Sequence, residues 1–156
     1  LANPVLNPKV TSPYGWRILN GQWQFHDGID YVSEGDEGAI PWNGSREVFA
    51  IADGKVIFDY DVWVPGDTSQ EGSGGNMLII QHMVDGVLYF VRYLHLASNY
   101  VRLNEEVKKG QPIGNFAISA GYSFGPHTHV DLYNAQWRKL DPRPLFLSGG
   151  IKVDPV

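Results

Sequence analysis

The stretch MLIIQHMVDGVLYFVRYLHL, residues 77–96, decides the fold class of this 156-residue chain. Two apolar runs, Met77 to Met83 and Val87 to Leu96, flank the pair Asp85-Gly86. Asp-Gly is the pair that a tight type I′ turn prefers, because both central residues of that turn have positive φ. The stretch therefore predicts an antiparallel β-hairpin.

Similar turn signals separate apolar runs elsewhere in the chain. Glu47 to Ala52 and Lys55 to Asp61 flank Asp53-Gly54, and Lys109-Gly110 marks a further turn. A last strand is predicted over His127 to Tyr133. Since no window of a dozen residues has convincing helical periodicity, the predicted fold class is all-β, antiparallel and nearly helix-free.

Composition limits the function classes. A chain of 156 residues with 43% hydrophobic residues is long enough for one domain with a real core. A net charge of -5 argues against nucleic acid as a partner, because phosphate binding needs a basic surface. Direct membrane binding is not predicted either, since there is no apolar run near 18 residues. The absence of cysteine excludes disulfides and thiolate ligands.

The expected organisation is an extended leader over residues 1–10, one domain over 11–147 and a C-terminal tail over 148–156. The start has neither a signal peptide nor an initiator Met, so we expect a processed, monomeric domain of a larger protein. Residues 31–46 are predicted to be a solvated loop, because their acidic residues do not have calcium-site spacing. The Gly/Ser-rich segment 64–75 is either a loop that walls a substrate groove or a simple connector.

Two short motifs contain candidate metal ligands. His127 and His129 project from the same face of the predicted last strand, and His26 and Asp30 share one face of an extended segment. Asp27 is a poorer candidate, because it is adjacent to His26 and points to the opposite face. His26, Asp30 and one of the paired histidines would leave a fourth tetrahedral position open, which is typical of a catalytic zinc site.

These motifs and several others together resemble the lysostaphin-like (LytM-type) zinc endopeptidases that cut peptidoglycan. The hallmark of that family is H-x-x-x-D followed by G-P-H-x-H. The similar segments are FHDGIDY (25–31), GPHTHVD (125–131), TSPYGWR (11–17), VFAIADGKV (48–56), GNMLIIQH (75–82) and VKKGQPIG (107–114). The chain departs from the family pattern at Asp131, where glutamate is usual, and at Ser119-Ala120-Gly121 and Ser123-Phe124-Gly125, where Thr-Gly and Ser-Thr-Gly are usual.

The resemblance implies a two-sheet lysostaphin-like fold with a groove and one Zn²⁺ per chain. It also implies that His26, Asp30 and His129 are the metal ligands. His127 and His95 would be catalytic residues beside the metal, one acting on water and the other on the oxyanion or the proton, with the division of roles open. His82 is expected to be structural, and Asp131 shares a face with His129 and is a candidate partner of its second ring nitrogen.

The expected function is hydrolysis of peptide bonds in peptidoglycan stem peptides or cross-bridges, as in an endolysin or a secreted bacteriolytic enzyme. Its expected location is extracellular, in the cell envelope or on a virion. The cleaved bond stays open between Gly-Gly, D-Ala-Gly and D-Ala to a diamino acid. The alternative is a non-catalytic peptidoglycan-binding domain, or a structural domain of a phage tail or envelope protein. Retention of all three ligands disfavours the non-catalytic alternative.

Overall fold

The computed structural model describes residues 1–34, 46–63, 75–116 and 126–156. Strands make up 55% and helix 5% of the structure, which confirms the all-β expectation. In chain order the elements are β1 (Pro8–Ser12), β2 (Gly15–Leu19), β3 (Gln22–His26), β4 (Ile29–Ser33), β5 (Glu47–Phe49), β6 (Gly54–Tyr60), β7 (Asn76–Val84), β8 (Val87–Asn99), β9 (Glu106–Val107), β10 (Pro112–Phe116), β11 (Thr128–Asn134), β12 (Lys139–Leu140) and α1 (Arg143–Ser148).

The hairpin predicted over residues 77–96 lies at the centre of the sheet. Strands β7 and β8 pair antiparallel, and Asp85 and Gly86 have φ angles of 50° and 79°, as a type I′ turn requires. Within the described residues, ten strands form one sheet along the path β1-β4-β11-β8-β7-β6-β9, with β5, β10 and β12 beside it. Strands β2 and β3 form a separate two-stranded ribbon.

The hairpin predicted at Asp53-Gly54 is wrong. Strand β5 pairs with β10, whereas β6 pairs with β7 and β9. Gly54 is instead a site of close approach between strands, since an added Cβ would lie 2.7 Å from Nδ1 of His82. The glycine is therefore needed for interstrand packing and not for a turn.

Two predicted loops lie largely outside the described residues. Tyr31 to Ser33, assigned to a loop from the sequence, are the end of β4, and residues 35–45 of that segment lie outside the described residues. Of the segment 64–75, only Gly75 is described, and residues 119–121 and 123–125, which depart from the family pattern, also lie outside the described residues.

A second type I′ turn joins β2 to β3 and was not predicted from the sequence. Asn20 and Gly21 have φ angles of 53° and 76°. Asn-Gly between alternating apolar residues is a strong hairpin signal, so this ribbon could have been found in the sequence. It matters for function because His26 is the last residue of β3.

Both ends of the chain contribute to the core. Val5 and Val10 near the start and Ile151 and Val153 near the end are buried in the same apolar cluster. The hydroxyl of the buried Tyr31 donates a hydrogen bond of 2.6 Å to the carbonyl of Lys152.

Within the described residues, no helix is long and apolar enough to span a membrane.

Candidate metal centre

Three donor atoms from distant parts of the chain converge at one point beside β11. Nε2 of His26 lies 3.2 Å from Nδ1 of His129 and 3.2 Å from Oδ1 of Asp30, and Nδ1 of His129 lies 2.9 Å from the same oxygen. All three residues are buried. Sheet register produces this convergence, because His129 on β11 is directly opposite Asp30 on β4.

The ring orientation of His26 is fixed by its backbone neighbours. Its Nδ1 lies 2.9 Å from the carbonyl oxygen of Pro13, which can only accept a hydrogen bond. The proton therefore lies on Nδ1, and the lone pair of Nε2 points at His129 and Asp30. A histidine that ligates a metal almost always has such a partner on its other nitrogen.

His129 is oriented in the same way by a buried carboxylate. Its Nε2 lies 3.1 Å from Oδ2 of Asp131, so Nδ1 faces His26 and Asp30. Burial alone would lower the pKa of His129, but hydrogen bonds with Asp131 and Asp30 raise it to about 9. Asp30 would favour a metal cation beside Nδ1 as it favours a proton there, whereas Asp131 orients the ring through Nε2.

Asp30 is held ionised within this cluster. Burial would raise its pKa, but its contacts with the imidazoles of His129 and His26, with a smaller effect of the nearby His127, lower it well below the usual range. Its second oxygen, Oδ2, lies 3.6 Å from Nη1 of Arg17. The carboxylate thus offers Oδ1 to the two imidazoles while Oδ2 faces a permanent cation.

Gly28 sets the position of the His129 ring. A Cβ added at Gly28 would lie 2.6 Å from Cε1 of His129 and 2.7 Å from the carbonyl oxygen of Val130, well inside the contact distance. Only glycine allows the segment between His26 and Asp30 to pass this close to the imidazole. This steric role depends on a tertiary contact, so it cannot be read from the sequence.

Asp131 is fully buried and is neutralised by two cations. Arg92 donates to both of its oxygens, from Nε at 3.1 Å and from Nη2 at 2.6 Å, and Lys139 Nζ lies 3.3 Å from Oδ2. Burial raises the pKa of Asp131, but hydrogen bonds from His129 and Arg92 outweigh this and hold the pKa well below its usual range. Arg92 and Lys139 were not identified from the sequence, because only the register of β8 against β11 brings Arg92 opposite Asp131.

Asp27, His129 and Asp131 form a second group of donors that lie close together. Lys139 already lies 3.0 Å from Asp27 and 3.3 Å from Asp131, and Arg92 also contacts Asp131. Lys139 and Arg92 therefore already neutralise the charge of these carboxylates. We interpret this group as holding the ring of His129 in place and not as a second metal site.

His127 and His95 border the three donors. Nε2 of His127 lies 3.8 Å from Oδ2 of Asp30, and the rings of His127 and His95 are 4.8 Å apart. His95 lies at a β-bulge in β8, where the pairing with β7 shifts between Leu78↔Tyr93 and Asn76↔Leu96. Its φ of 62° is left-handed, and a bulge of this kind redirects a side chain away from the regular alternation.

The remaining histidine, His82, lies far from this cluster. It is fully buried and pairs with Tyr89 in the register of β7 and β8, six residues along β8 from His95. Its Nδ1 donates to the carbonyl of Asp53 at 3.1 Å, and its Nε2 accepts from the hydroxyl of Tyr93 at 3.0 Å. His82 thus has a structural environment, in agreement with the expectation from the sequence.

The donor set fits a zinc ion by size and by chemistry. Ligands about 2.0–2.1 Å from a tetrahedral ion are roughly 3.3 Å apart, and the three donor atoms here are 2.9–3.2 Å apart. Two imidazoles and one carboxylate are typical ligands of a catalytic zinc, and both imidazoles already have partners on their other nitrogens.

Comparison with known proteins identifies the family of this chain. A family model described as peptidase family M23 matches residues 24–142. The chain belongs to peptidase family M23. The family implies a metal, and the resemblance of the chain to lysostaphin-type proteins is confirmed.

Two relatives whose names state an activity illustrate the similarity. The M23 chain is 30% identical over 134 residues to the peptidoglycan DD-endopeptidase ShyC of Vibrio cholerae, with 84% of this chain and 26% of ShyC covered. It is 30% identical over 141 residues to the glycyl-glycine endopeptidase ALE-1 of Staphylococcus capitis, with 88% of this chain and 33% of ALE-1 covered. The chain thus spans between a quarter and a third of the length of these relatives.

The fold is also that of a solved M23 structure. The catalytic domain of the antimicrobial peptidase lysostaphin from Staphylococcus simulans aligns with a TM-score of 0.65 at 28% sequence identity, covering 90% of this chain and 93% of that domain. The predicted lysostaphin-like fold is therefore confirmed.

Proposed function

We propose that this M23 chain is a zinc-dependent endopeptidase that hydrolyses peptide bonds in bacterial peptidoglycan. The observation that supports the proposal best is the convergence of His26 Nε2, Asp30 Oδ1 and His129 Nδ1 beside two further histidines. These three atoms would hold one zinc ion per chain. The bound ion would supply Lewis-acid activation of water and of the scissile carbonyl.

The proton transfers of the reaction fall to His127 and His95. Hydrolysis forms a bond between a water oxygen and the carbonyl carbon, breaks the C–N bond, and moves one proton from the water to the leaving amine. One imidazole accepts the proton from the water and passes it to the amine nitrogen. The other donates a hydrogen bond to the oxyanion that develops on the carbonyl oxygen.

Charge at the site supports the proposed assignment of ligands and catalytic residues. Asp30 faces the imidazoles with Oδ1, and Arg17 and His127 lie 3.6 and 3.8 Å from Oδ2. Because these contacts hold Oδ2, the carboxylate of Asp30 keeps one orientation and Oδ1 stays directed at the imidazoles. His127 has contact with the ligand carboxylate and the His95 ring, so it is placed to act on a substrate next to the three donors.

The names of two relatives support peptidoglycan as the proposed substrate. ShyC is named as a peptidoglycan DD-endopeptidase and ALE-1 as a glycyl-glycine endopeptidase. We propose that the chain acts outside the cytoplasm, on the cell wall, as the catalytic part of a longer protein.

The experiment measures zinc content and peptide release together. Purified protein should contain about one zinc per chain, and incubation with cell walls of defined cross-bridge chemistry should release peptides that mass spectrometry identifies. His26→Ala, Asp30→Ala and His129→Ala should each lose zinc and activity. Efficient casein digestion without release from walls would refute the substrate, and zinc binding without any hydrolysis would favour a structural domain of an envelope or tail protein.

A further inference from the structure

The β2–β3 ribbon has one strongly apolar face exposed to solvent. Trp16 pairs with Phe25 and Ile18 pairs with Trp23 in the register, so these four side chains project from the same face. Trp16 and Trp23 are each 70% exposed, Ile18 is 62% exposed and Phe25 is 43% exposed. The ring of Phe25 packs edge-on against Trp16 at 5.3 Å and against Tyr14 at 5.1 Å.

The opposite face of the same ribbon belongs to the metal centre. Arg17, Gln24 and His26 project from it, and Arg17 donates to Gln24 Oε1 and to Ser12 Oγ. The exposed aromatic face and the proposed ligand His26 therefore lie on the same two-stranded ribbon, whose five-residue strands are each about 16 Å long. Phe25 and His26 are adjacent in the chain, so the aromatic face is continuous with the site.

Stability of the ribbon does not account for this face. Cross-strand pairs such as Trp16–Phe25 contribute about 0.2–1 kcal/mol each, but most of the area of both indoles still faces water. Clusters of exposed large apolar side chains generally mark an interaction site. Tryptophan is enriched in such sites because it offers a large flat surface at a low cost in side-chain entropy.

Charge indicates what kind of partner fits. Within the described residues, no side chain on this face of the ribbon carries a charge. Arg143 lies over the Tyr14 ring at the base of this face, and its guanidinium is paired with Asp141 through three hydrogen bonds. The chain as a whole has a net charge of -5, so an anionic membrane surface is disfavoured. An uncharged partner matches this face.

We propose that the aromatic face, formed by Trp16, Ile18, Trp23 and Phe25, binds the glycan strand of the cell wall. This inference rests on the proposed function. The C–H face of an uncharged N-acetylated sugar ring stacks on a flat aromatic ring, and the exposed indoles of Trp16 and Trp23 offer such rings. The glycan would be held on one face of the ribbon while a peptide branch reaches the metal centre on the other.

The direct test is an NMR titration with a β-1,4-linked hexamer of N-acetylglucosamine. The indole N–H signals of Trp16 and Trp23 should shift, whereas those of the buried Trp63 and of Trp137, which stacks on Phe90 elsewhere, should not. A dissociation constant of about 1 mM or lower is expected. Absence of indole shifts at Trp16 and Trp23 would overturn the proposal.

Variants test the contribution of the rings. Trp16→Thr/Trp23→Thr keeps β propensity and should weaken binding at least about ten-fold, the scale of losing stacked aromatic contacts. Trp16→Phe/Trp23→Phe should restore most of the affinity, because flat rings return. Trp137→Asn is the matched control that removes an indole at a left-handed position without changing binding. Equal affinity in the double Thr variant and the wild type would refute the assignment.

Two further measurements separate other partners. Vesicles of phosphatidylglycerol should not bind the protein, and sedimentation equilibrium should give the same mass for the wild type and the double Thr variant. Vesicle binding that depends on Trp16 and Trp23 would make the face a membrane contact, and a dimer that the double variant abolishes would make it a self-association surface. Either result would overturn the glycan assignment.

The titration uses neither peptide nor metal, so it tests the aromatic face independently of the proposed hydrolysis. In an active protein, the double Thr variant should lose at least about ten times more activity on whole walls than on a sugar-free peptide. Loss of wall hydrolysis and peptide hydrolysis in equal proportion would contradict glycan binding. A wild-type protein that binds the hexamer but cleaves neither substrate would refute the proposed function alone.

Discussion

Substitution of Gly28 by alanine should weaken zinc binding without changing any proposed ligand. The added methyl group would lie 2.6 Å from Cε1 of His129, whereas ordinary contact begins at 3.4 Å. Nε2 of the same ring would lie even closer, so the imidazole must retreat by at least about 0.8 Å, the difference between these two distances. Gly28 is not in the left-handed region of φ, so the effect comes from this contact and not from backbone strain.

The retreat separates His129 from the partners on both of its nitrogens. Nε2 loses its 3.1 Å hydrogen bond with Asp131, and Nδ1 no longer points at Asp30 and His26. Loss of such an orienting partner typically costs 10–100-fold in metal affinity, about 1.4–2.8 kcal/mol. We expect the zinc dissociation constant of Gly28→Ala to rise by that factor in a competition titration with a chromogenic chelator.

Gly54→Ala is the matched control. Its added methyl group would lie 2.7 Å from Nδ1 of His82, a comparable collision with a buried histidine remote from the metal centre. Both variants should lose stability, and circular dichroism will confirm that each is folded at the temperature of the titration. Zinc affinity that is equal in Gly28→Ala, Gly54→Ala and the wild type would refute the reasoning.

Three further predictions follow from the same contacts. His127→Ala and His95→Ala should keep zinc but slow turnover by about 10²-fold or more, because both imidazoles act on the reacting groups. If His127→Ala lost zinc while His129→Ala kept it, the ligand and catalytic roles of His127 and His129 would have to be exchanged. Asp131→Asn should lower the free energy of unfolding by about 3 kcal/mol, since it leaves Arg92 and Lys139 beside a buried amide. Asp141→Asn, at the exposed pair with Arg143, should lower it by less than about 1 kcal/mol. Similar losses for the two variants in urea unfolding would contradict this reasoning. Burial lowers the pKa of His82 to about 4, below the value of about 6.5 in an unfolded chain, so its contribution is complete above pH 6.5 and is lost as the pH falls toward 4. Between pH 7.5 and 5.0 the wild type should lose about 2 kcal/mol more stability than His82→Gln, and equal losses in urea titrations would show that His82 does not titrate in this window.

The sequence alone was sufficient for the features that depend on neighbouring residues. The turn at Asp85-Gly86 needs two residues that tolerate positive φ, and the alternation of the flanking strands is local, so the central hairpin was predicted correctly. The candidate ligands were also found from local spacing, because H-x-x-x-D and H-x-H place their side chains on one face of an extended segment. The Asn20-Gly21 turn was equally local and was overlooked.

Tertiary structure decided which strands are neighbours and which atoms meet. Local turn chemistry suggested that β5 pairs with β6, but burial of the whole core selects β10 as the partner of β5. The register of β11 between β4 and β8 brings His129 opposite Asp30, 99 residues away in the chain. A shift of one residue would turn His129 to the other face, and no short window of sequence contains that information.

The contacts that support the candidate metal centre could not be read from the sequence either. The bulge that redirects His95, the bonding of Arg92 to Asp131 and the steric need for Gly28 beside His129 each join strands distant in sequence. Residue chemistry by itself determined which side chains can bind a metal and move protons. Only the packed sheet decided that Nδ1 of His129 and Nε2 of His26 face one carboxylate oxygen, because interstrand register and core packing set those positions together.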